Sequence, residues 1–128
     1  IEESRKSKGY PVTMTLPALL KMHKLFPHDY LLFGVHDHDQ LIACCLAIRV
    51  LPSILYCFYI GDSLSYRKFS PVTLLITGVY EYCLEHHVEL MDLGISTNRG
   101  IINKGLYAFK KSLGAQSVMK RTFEKVME

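Results

Sequence analysis

The sequence has no Cys-x-x-Cys pair, no internal repeat and no low-complexity block. Its four cysteines, Cys44, Cys45, Cys57 and Cys83, favour reduced thiols in a cytoplasmic protein over a disulfide framework. Cys44 and Cys45 are adjacent, so they would project to opposite faces of a strand. We therefore expect these thiols to be structural and covered.

The sequence also lacks a large excess of charge of either sign. Charged residues make up 21% of the chain, and the formal net charge is only +3. This balance permits an anionic small ligand but does not predict nucleic acid as a specific partner. The 128 residues, 49% of them hydrophobic, suit a single globular domain with a real core. The chain begins at Ile1 instead of Met, which leads us to expect the C-terminal part of a longer protein.

One run, Leu41 to Ile60, reaches the roughly 20 residues that a membrane helix requires, and it carries a single charge, Arg49. Pro52 and Ser53 lie at its midpoint, and it is rich in β-branched and aromatic residues. These features favour two buried strands joined by a tight turn. The sequence therefore predicts no membrane span.

The apolar pattern of the first half predicts a helix and then three sequential strands. Residues 1–14 are polar, basic and interrupted by glycine and proline, which is typical of a tail or linker. A helix follows from Thr15 to about Phe26. The strands, Tyr30 to His36, Leu41 to Leu51 and Ile54 to Ile60, would form an antiparallel meander.

The second half alternates helices and strands. A polar loop over Gly61 to Phe69 precedes a helix that Ser70 can cap and that ends near His87. A short buried strand, Leu90 to Leu93, comes next, followed by a helix from about Asn103 to Leu113 that Gly114 stops. The predicted elements end with an extended segment over Gln116 to Val126. The buried face of the first of these helices is predicted to carry Val72, Leu75, Ile76, Val79 and Cys83, and that of the second Leu106, Phe109 and Leu113.

Three polar residues of the last helix, Asn103, Tyr107 and Lys110, are spaced i, i+4 and i+7 and so share one face. A phenol and an amine one turn apart can deliver a proton or hold an anion. A solvated helix face is the alternative interpretation. Asp92 and Ser96 lie at and after the end of the predicted strand Leu90 to Leu93, which favours a functional site. We expect Lys110 to face a cleft between this strand and the third strand.

A second cluster, Tyr66, Arg67, Lys68 and Ser70, precedes the helix that begins at Pro71. Two cations and a hydroxyl there, with the N–H groups of Val72 and Thr73, favour a phosphate or carboxylate. A capped surface loop is the alternative.

Other pairs of reactive side chains have simpler explanations. His36, Asp37, His38 and Asp39 fall at a predicted hairpin tip without a distant third ligand, so a turn is favoured over a metal site. Cys83 and His87 are four residues apart, but Cys83 lies on an apolar face and is interpreted as core. His86 and His87 suit the C-terminal end of a helix. No metal is expected.

The order of elements, three antiparallel strands, a helix, a strand, a helix and a final strand, resembles the core of the GNAT superfamily of acyl-CoA N-acyltransferases. Ser70-Pro71, Asp92-Leu93-Gly94, Gly105-Leu106, Phe109-Lys110 and Leu113-Gly114-Ala115 look like the Fem-like branch, typified by aminoacyl transferases that build peptidoglycan cross-bridges. The resemblance covers about Tyr30 to Phe123. It implies an α/β (α+β) fold in which a mixed central sheet with an antiparallel meander is flanked by helices.

The resemblance also implies transfer of an acetyl, acyl or aminoacyl group to the amine of a small molecule or peptide. Lys110 stands where many GNAT enzymes have the general-acid tyrosine, with Tyr107 one turn earlier, so both are candidate catalytic residues. Tyr66, Arg67, Lys68, Ser70 and Asn103 would hold acetyl-CoA or another acyl donor, and Asp92 and Ser96 would contact the substrate.

One departure from the family concerns the donor site. GNAT enzymes usually carry a Gln/Arg-x-x-Gly-x-Gly/Ala turn that binds the coenzyme A pyrophosphate, whereas Ser65 to Ser70 contains no glycine. The alternative function is therefore a non-catalytic GNAT-fold module that acts as a homodimer partner or as one half of a tandem pair.

Overall fold

A computed structural model describes residues 1–127 and divides the chain into two compact units that meet between Gly94 and Ile95. The first unit holds a four-stranded sheet and three α-helices. Its helices are α1 (Glu2–Ser7), α2 (Leu16–Leu25) and α3 (Pro71–Glu85), and a 3-10 turn spans Leu64–Phe69. Its strands are β1 (Tyr30–Asp37), β2 (Gln40–Leu51), β3 (Ile54–Asp62) and β4 (Leu90–Asp92).

The sheet confirms the predicted meander. Its strand order is β1-β2-β3-β4. Strand β2 pairs antiparallel with both β1 and β3, and β4 pairs parallel with β3. Pro52 and Ser53 form the turn between β2 and β3, as the sequence predicts for the run Leu41 to Ile60. Within residues 1–127, no helix combines the length and apolar character needed to cross a bilayer.

The core lies between α3 and the sheet. Small side chains of β2, chiefly Ala43, Cys45 and Ala47, face the helix, and each is at most 2% exposed. Leu55 of β3 and Val79 of α3 are fully buried against them. The buried residues of α3 are Pro71, Leu75, Ile76, Val79 and Cys83, so the predicted apolar face is confirmed except for half-buried Val72.

The cysteines are free thiols, and Cys45, Cys57 and Cys83 are buried while Cys44 is half-buried. Burial raises the pKa of the Cys44 and Cys83 thiols. A buried thiol that resists ionisation is a poor nucleophile, which agrees with a structural role.

The second unit begins with a hairpin of β5 (Thr97–Asn98) and β6 (Ile101–Ile102), followed by α4 (Lys104–Ser112). Arg99 and Gly100 both have positive φ, as a two-residue hairpin turn of this hand requires. Gly114, with φ of +90°, ends α4 as predicted.

Two predictions for this unit are wrong: the buried face of α4 and the final strand. Phe109 is 38% exposed, and Leu106 and Leu113 are only half-buried. The strand expected over Gln116 to Val126 is absent among the described residues, because residues 115–127 pair with no neighbouring strand. A strand needs a partner for its backbone N–H and C=O groups, and local sequence cannot show whether one is present.

The expectation of an irregular tail over residues 1–14 is also wrong in part, because Glu2–Ser7 form α1. Ser4 of α1 is 1% exposed and donates a 2.6 Å hydrogen bond to the Asp62 carboxylate at the end of β3. Arg67 and Lys8 also contact this carboxylate. Helix α1 is therefore anchored to the sheet by one acidic side chain.

A second anchor follows at Tyr59 of β3, which is 2% exposed. Its phenolic oxygen accepts hydrogen bonds from the backbone N–H groups of Thr13 and Met14 at 3.0 and 3.1 Å. Burial opposes ionisation, but these hydrogen bonds and one with the Thr13 hydroxyl outweigh it and lower the pKa of Tyr59.

The Asp62 cluster makes stability depend on pH. The hydrogen bonds from Arg67 lead the causes that lower the pKa of Asp62 from 3.8 to about 2. A carboxylate whose pKa is lower in the folded state stabilises the fold above its unfolded pKa, and this contribution is lost as pH falls. We expect about 2 kcal/mol of the unfolding free energy to disappear between about pH 4 and pH 2.

Urea unfolding of the wild type and of Asp62→Asn at several pH values measures this contribution. The difference between the two proteins should shrink by about that amount across this range, since the other carboxylates titrate in both. A difference that stays constant with pH would contradict the assignment.

The core predicts a contrast between two leucines. Leu55→Ala removes a side chain that is 0% exposed and should cost about 2–5 kcal/mol of unfolding free energy. Leu84→Ala, at a position 61% exposed on α3, is the matched control and should change stability by less than about 0.5 kcal/mol. Similar losses in the two variants, measured by urea unfolding, would argue against the assigned core.

Candidate functional site

Three of the candidate donor-site residues, Tyr66, Arg67 and Lys68, lie on the 3-10 turn that joins β3 to α3. Arg67 is fixed there by a bidentate ion pair, in which its Nε and Nη2 atoms donate to the two Asp62 oxygens at 2.7 and 3.0 Å. Hydrogen bonding to the carboxylate raises the pKa of the Arg67 guanidinium. Because Asp62 is buried and Arg67 is its main partner, the pair has a structural role in this turn.

The neighbouring residues of the turn differ in what they contact. The Tyr66 hydroxyl donates a 2.9 Å hydrogen bond to the Asp37 carboxylate, which favours the neutral phenol and raises the pKa of Tyr66. The Lys68 ammonium lies 5.0 Å from the centroid of the Phe69 ring. In the described part of the chain, no carboxylate lies within ion-pair distance of Lys68. Lys68 is thus the cation of the turn that a ligand can reach without breaking an ion pair.

The start of α3 differs from the sequence prediction. Ser70 has a left-handed backbone, with φ of 53°, and its side chain makes no capping hydrogen bond. The Thr73 N–H donates to the Ser70 carbonyl at 3.0 Å, so it is already bonded. Pro71 has no N–H. Of the first N–H groups of α3, that of Val72 remains as the candidate anion donor, since its position has no intrahelical partner.

Asp92 ends β4 and shapes the turn that follows. Its carboxylate accepts a 2.7 Å hydrogen bond from the Gly94 N–H. Gly94 has φ of +75°, and a Cβ atom there would come 3.3 Å from the Tyr56 ring. A residue with a Cβ atom would be strained by this backbone conformation and crowded by the ring, so glycine is favoured at this position. The predicted substrate contact of Asp92 stays a prediction.

In the second unit, Asn103 caps α4. Its side-chain oxygen accepts a 3.0 Å hydrogen bond from the Leu106 N–H, and its own N–H donates to the Ser96 carbonyl at 2.8 Å. These bonds fix the backbone of Ser96 against the beginning of the helix. The binding roles predicted for Asn103 and Ser96 stay predictions.

Tyr107 and Lys110 lie on the less exposed side of α4, together with Leu106 and Leu113. The Lys110 ammonium donates a 2.8 Å hydrogen bond to the Ile95 carbonyl, whereas the Tyr107 hydroxyl lies 3.5 Å from that of Ser117. Lys111 is exposed. The ammonium of Lys110 is therefore held in place, unlike that of a solvated lysine. The predicted cleft beside Lys110 stays a prediction.

The remaining pairs behave as ordinary structural residues. His38 contacts the Asp37 carboxylate at the exposed tip of the β1–β2 hairpin, and no group of three metal-ligating side chains occurs within residues 1–127. Cys83 is 3% exposed in the core. His86 donates a 2.9 Å hydrogen bond to the Tyr82 carbonyl at the end of α3.

The sequence analysis missed Asp62 and Ser4. Asp62 had been assigned to a polar loop, although it is the last residue of β3, and Ser4 to an irregular tail. One sequence signal could have identified the ion pair. Asp62 ends a buried strand, and Arg67 follows it five residues later.

No family model and no curated protein matches the chain. Among solved structures, an aminoglycoside 6'-N-acetyltransferase from Acinetobacter haemolyticus is 19% identical, with a TM-score of 0.64 over 99% of this chain and 90% of that one. A second enzyme of this kind, AAC(6')-Iy, solved with a bisubstrate analogue of coenzyme A and acetylneamine, is 13% identical, with a TM-score of 0.67 over 95% of this chain and 86% of that one.

An aminoglycoside acetyltransferase from an uncultured soil metagenome is 11% identical, with a TM-score of 0.68 over 98% of this chain and 85% of its own. At these identities the similarity shows the fold. Nothing in the comparisons distinguishes the Fem-like branch. The chain has a mixed α/β structure with the fold of GNAT acetyltransferases, as the order of its elements had implied.

Proposed function

We propose that the chain is an N-acyltransferase that moves an acyl group from an activated donor to the amine of a small molecule or peptide. The observation that carries this proposal is the fold, which matches acetyltransferases over 95% or more of the chain. Amine acylation mainly requires alignment of donor and acceptor and stabilisation of the tetrahedral oxyanion, for which positioned N–H groups suffice.

The donor side of the proposal rests on the turn before α3. An acyl-CoA or another phosphate-bearing donor supplies the activated carbonyl. Lys68 and the Val72 N–H fit one of its phosphates as charge-assisted donors. This set is smaller than a glycine-rich turn, since Pro71 has no N–H and Thr73 is bonded to Ser70. The side chain of Lys68 therefore carries most of the recognition.

The catalytic part of the proposal rests on α4. Lys110 is the candidate for stabilising the oxyanion or protonating the leaving group, because its ammonium is held by the Ile95 carbonyl. Tyr107, one turn earlier, is the second candidate. Asp92-Leu93-Gly94 and Phe109-Lys110 further support the Fem-like branch, whose members transfer aminoacyl groups.

A second candidate function is a non-catalytic module that pairs with a copy of itself or with a tandem GNAT-like domain. Two observations favour it: the glycine-free turn, whose Arg67 is engaged by Asp62, and exposed apolar side chains such as Val118 and Phe123, at 82% and 86%. Tight self-association measured by sedimentation, with no coenzyme A binding, would select this function.

Lys68→Ala should weaken binding of coenzyme A by about 10-fold or more, because a charge-assisted hydrogen bond to phosphate is lost. Titration calorimetry measures the affinity. Lys21→Ala, an exposed lysine of α2, removes the same charge and is the control. Equal affinity in the two variants would move the donor site away from the turn.

Lys110→Ala should lower the transfer rate by about 100-fold or more, the effect of removing a positioned proton donor or charge stabiliser. The assay follows acetyl transfer from acetyl-CoA to a set of amines that includes an aminoglycoside. Lys111→Ala removes a neighbouring exposed lysine and should retain the wild-type rate. If Lys110→Ala is as active as this control, Lys110 has no catalytic role.

A further inference from the structure

Two side chains of α1, Ser4 and Ser7, and that of Lys8, the residue after the helix, converge on the turn before α3. Ser4 and Ser7 are three residues apart, so they lie on one side of the helix. Ser4 donates to Asp62 Oδ1 at 2.6 Å, and the Lys8 ammonium lies 3.6 Å from the same oxygen. Ser7 accepts a longer hydrogen bond, 3.4 Å, from Arg67 Nη2. The N-terminal helix thus contacts both members of the Asp62–Arg67 pair.

The Asp62 carboxylate joins these contacts into one cluster. Its side chain is only 4% exposed, and both oxygens accept hydrogen bonds from Arg67. A carboxylate so little exposed is retained because it is paired and hydrogen-bonded. We therefore expect loss of the Ser4 hydroxyl or of the Asp62 charge to loosen Arg67 as well as α1.

Arg67 in turn determines the path of the chain into α3. Its carbonyl accepts a 3.0 Å hydrogen bond from the Ser70 N–H, and Ser70 adopts the left-handed conformation that directs the chain into the helix. Lys68 lies between these two residues in sequence. Its backbone is therefore fixed on one side by the Arg67 side chain, which is bound to Asp62, and on the other by the backbone hydrogen bond of Ser70.

We propose that Asp62 is a positioning residue of the donor site, and that α1, through Ser4, holds Asp62 and Arg67 so that Lys68 and the Val72 N–H point at the donor phosphate. This inference rests on the proposed function. It makes Ser4 of α1 a support of the donor site, acting through Asp62 and Arg67. It also separates the two cations of the turn, because Arg67 fixes the backbone and Lys68 binds the ligand.

The test uses the full chain with Ser4→Ala and Asp62→Asn, and with Thr77→Ala as control. The Thr77 hydroxyl also donates a hydrogen bond, to the Thr73 carbonyl, but it contacts no residue of the cluster. Amide hydrogen exchange of residues 64–70, compared with β2 and β3 amides in the same folded sample, should rise about 10-fold in Ser4→Ala and Asp62→Asn and not in the control. Ser4→Ala, the milder change, keeps the test valid if Asp62→Asn unfolds.

The kinetic part separates positioning from stability. The KM for acetyl-CoA should rise about 10-fold with kcat and the acceptor KM unchanged, because the turn but not α4 is loosened. A lower melting temperature with unchanged exchange at residues 64–70 and unchanged donor KM would overturn the proposal. If the wild type does not bind coenzyme A, the proposed function fails, whereas the exchange measurement still decides whether α1 and Asp62 hold the turn.

Discussion

Helix α3 packs on a floor of small side chains, and the first unit depends on this contact. Ala43, Cys45 and Ala47 of β2 leave room for the helix to approach the sheet, where Val79 and Leu75 fill the space between them. Protein interiors tolerate few voids, so larger residues on β2 would push the helix outward. The position of α3 in turn sets the position of the turn that precedes it.

That turn illustrates how two adjacent cations acquire different roles. Arg67 can donate two parallel hydrogen bonds to a carboxylate, a geometry that the lysine ammonium cannot reproduce. Asp62 takes up this planar donor, and Lys68 is left beside the Phe69 ring. Of these two adjacent basic residues, Arg67 is thus bound to a buried carboxylate, whereas Lys68 lies at the surface.

The elements that the sequence predicts well are those with a local cause. Pro52-Ser53 breaks a long apolar run into two strands, and the helical spacing of Leu75, Val79 and Cys83 identifies the buried face of α3. Helix α1 has only six residues, too few for stable helix formation on propensity alone, so it depends on Ser4 reaching Asp62 58 positions away. No local pattern reveals such a contact.

The same distinction applies to the candidate site. Spacing alone placed Tyr107 and Lys110 on one side of α4, and the structure keeps them there. The exposure of Phe109 and the absence of a strand over residues 115–127 in the described chain depend on which neighbouring segments are available, which spacing cannot show. The order of elements indicated the fold correctly, because that order is a property of the whole chain.

The two anchors on β3 also have a consequence for how the molecule opens. Ser4 binds Asp62, and the backbone of Thr13 and Met14 binds Tyr59, three residues earlier on the same strand. Between the anchors lie Gly9 and Pro11, which form no helix or strand. Residues 4–14 are thus attached at both ends to one short stretch of strand, so fraying of the last residues of β3 releases both ends together. We therefore expect the segment to open as one cooperative unit of local unfolding, so that protease sensitivity around Gly9 would report on the integrity of the end of β3.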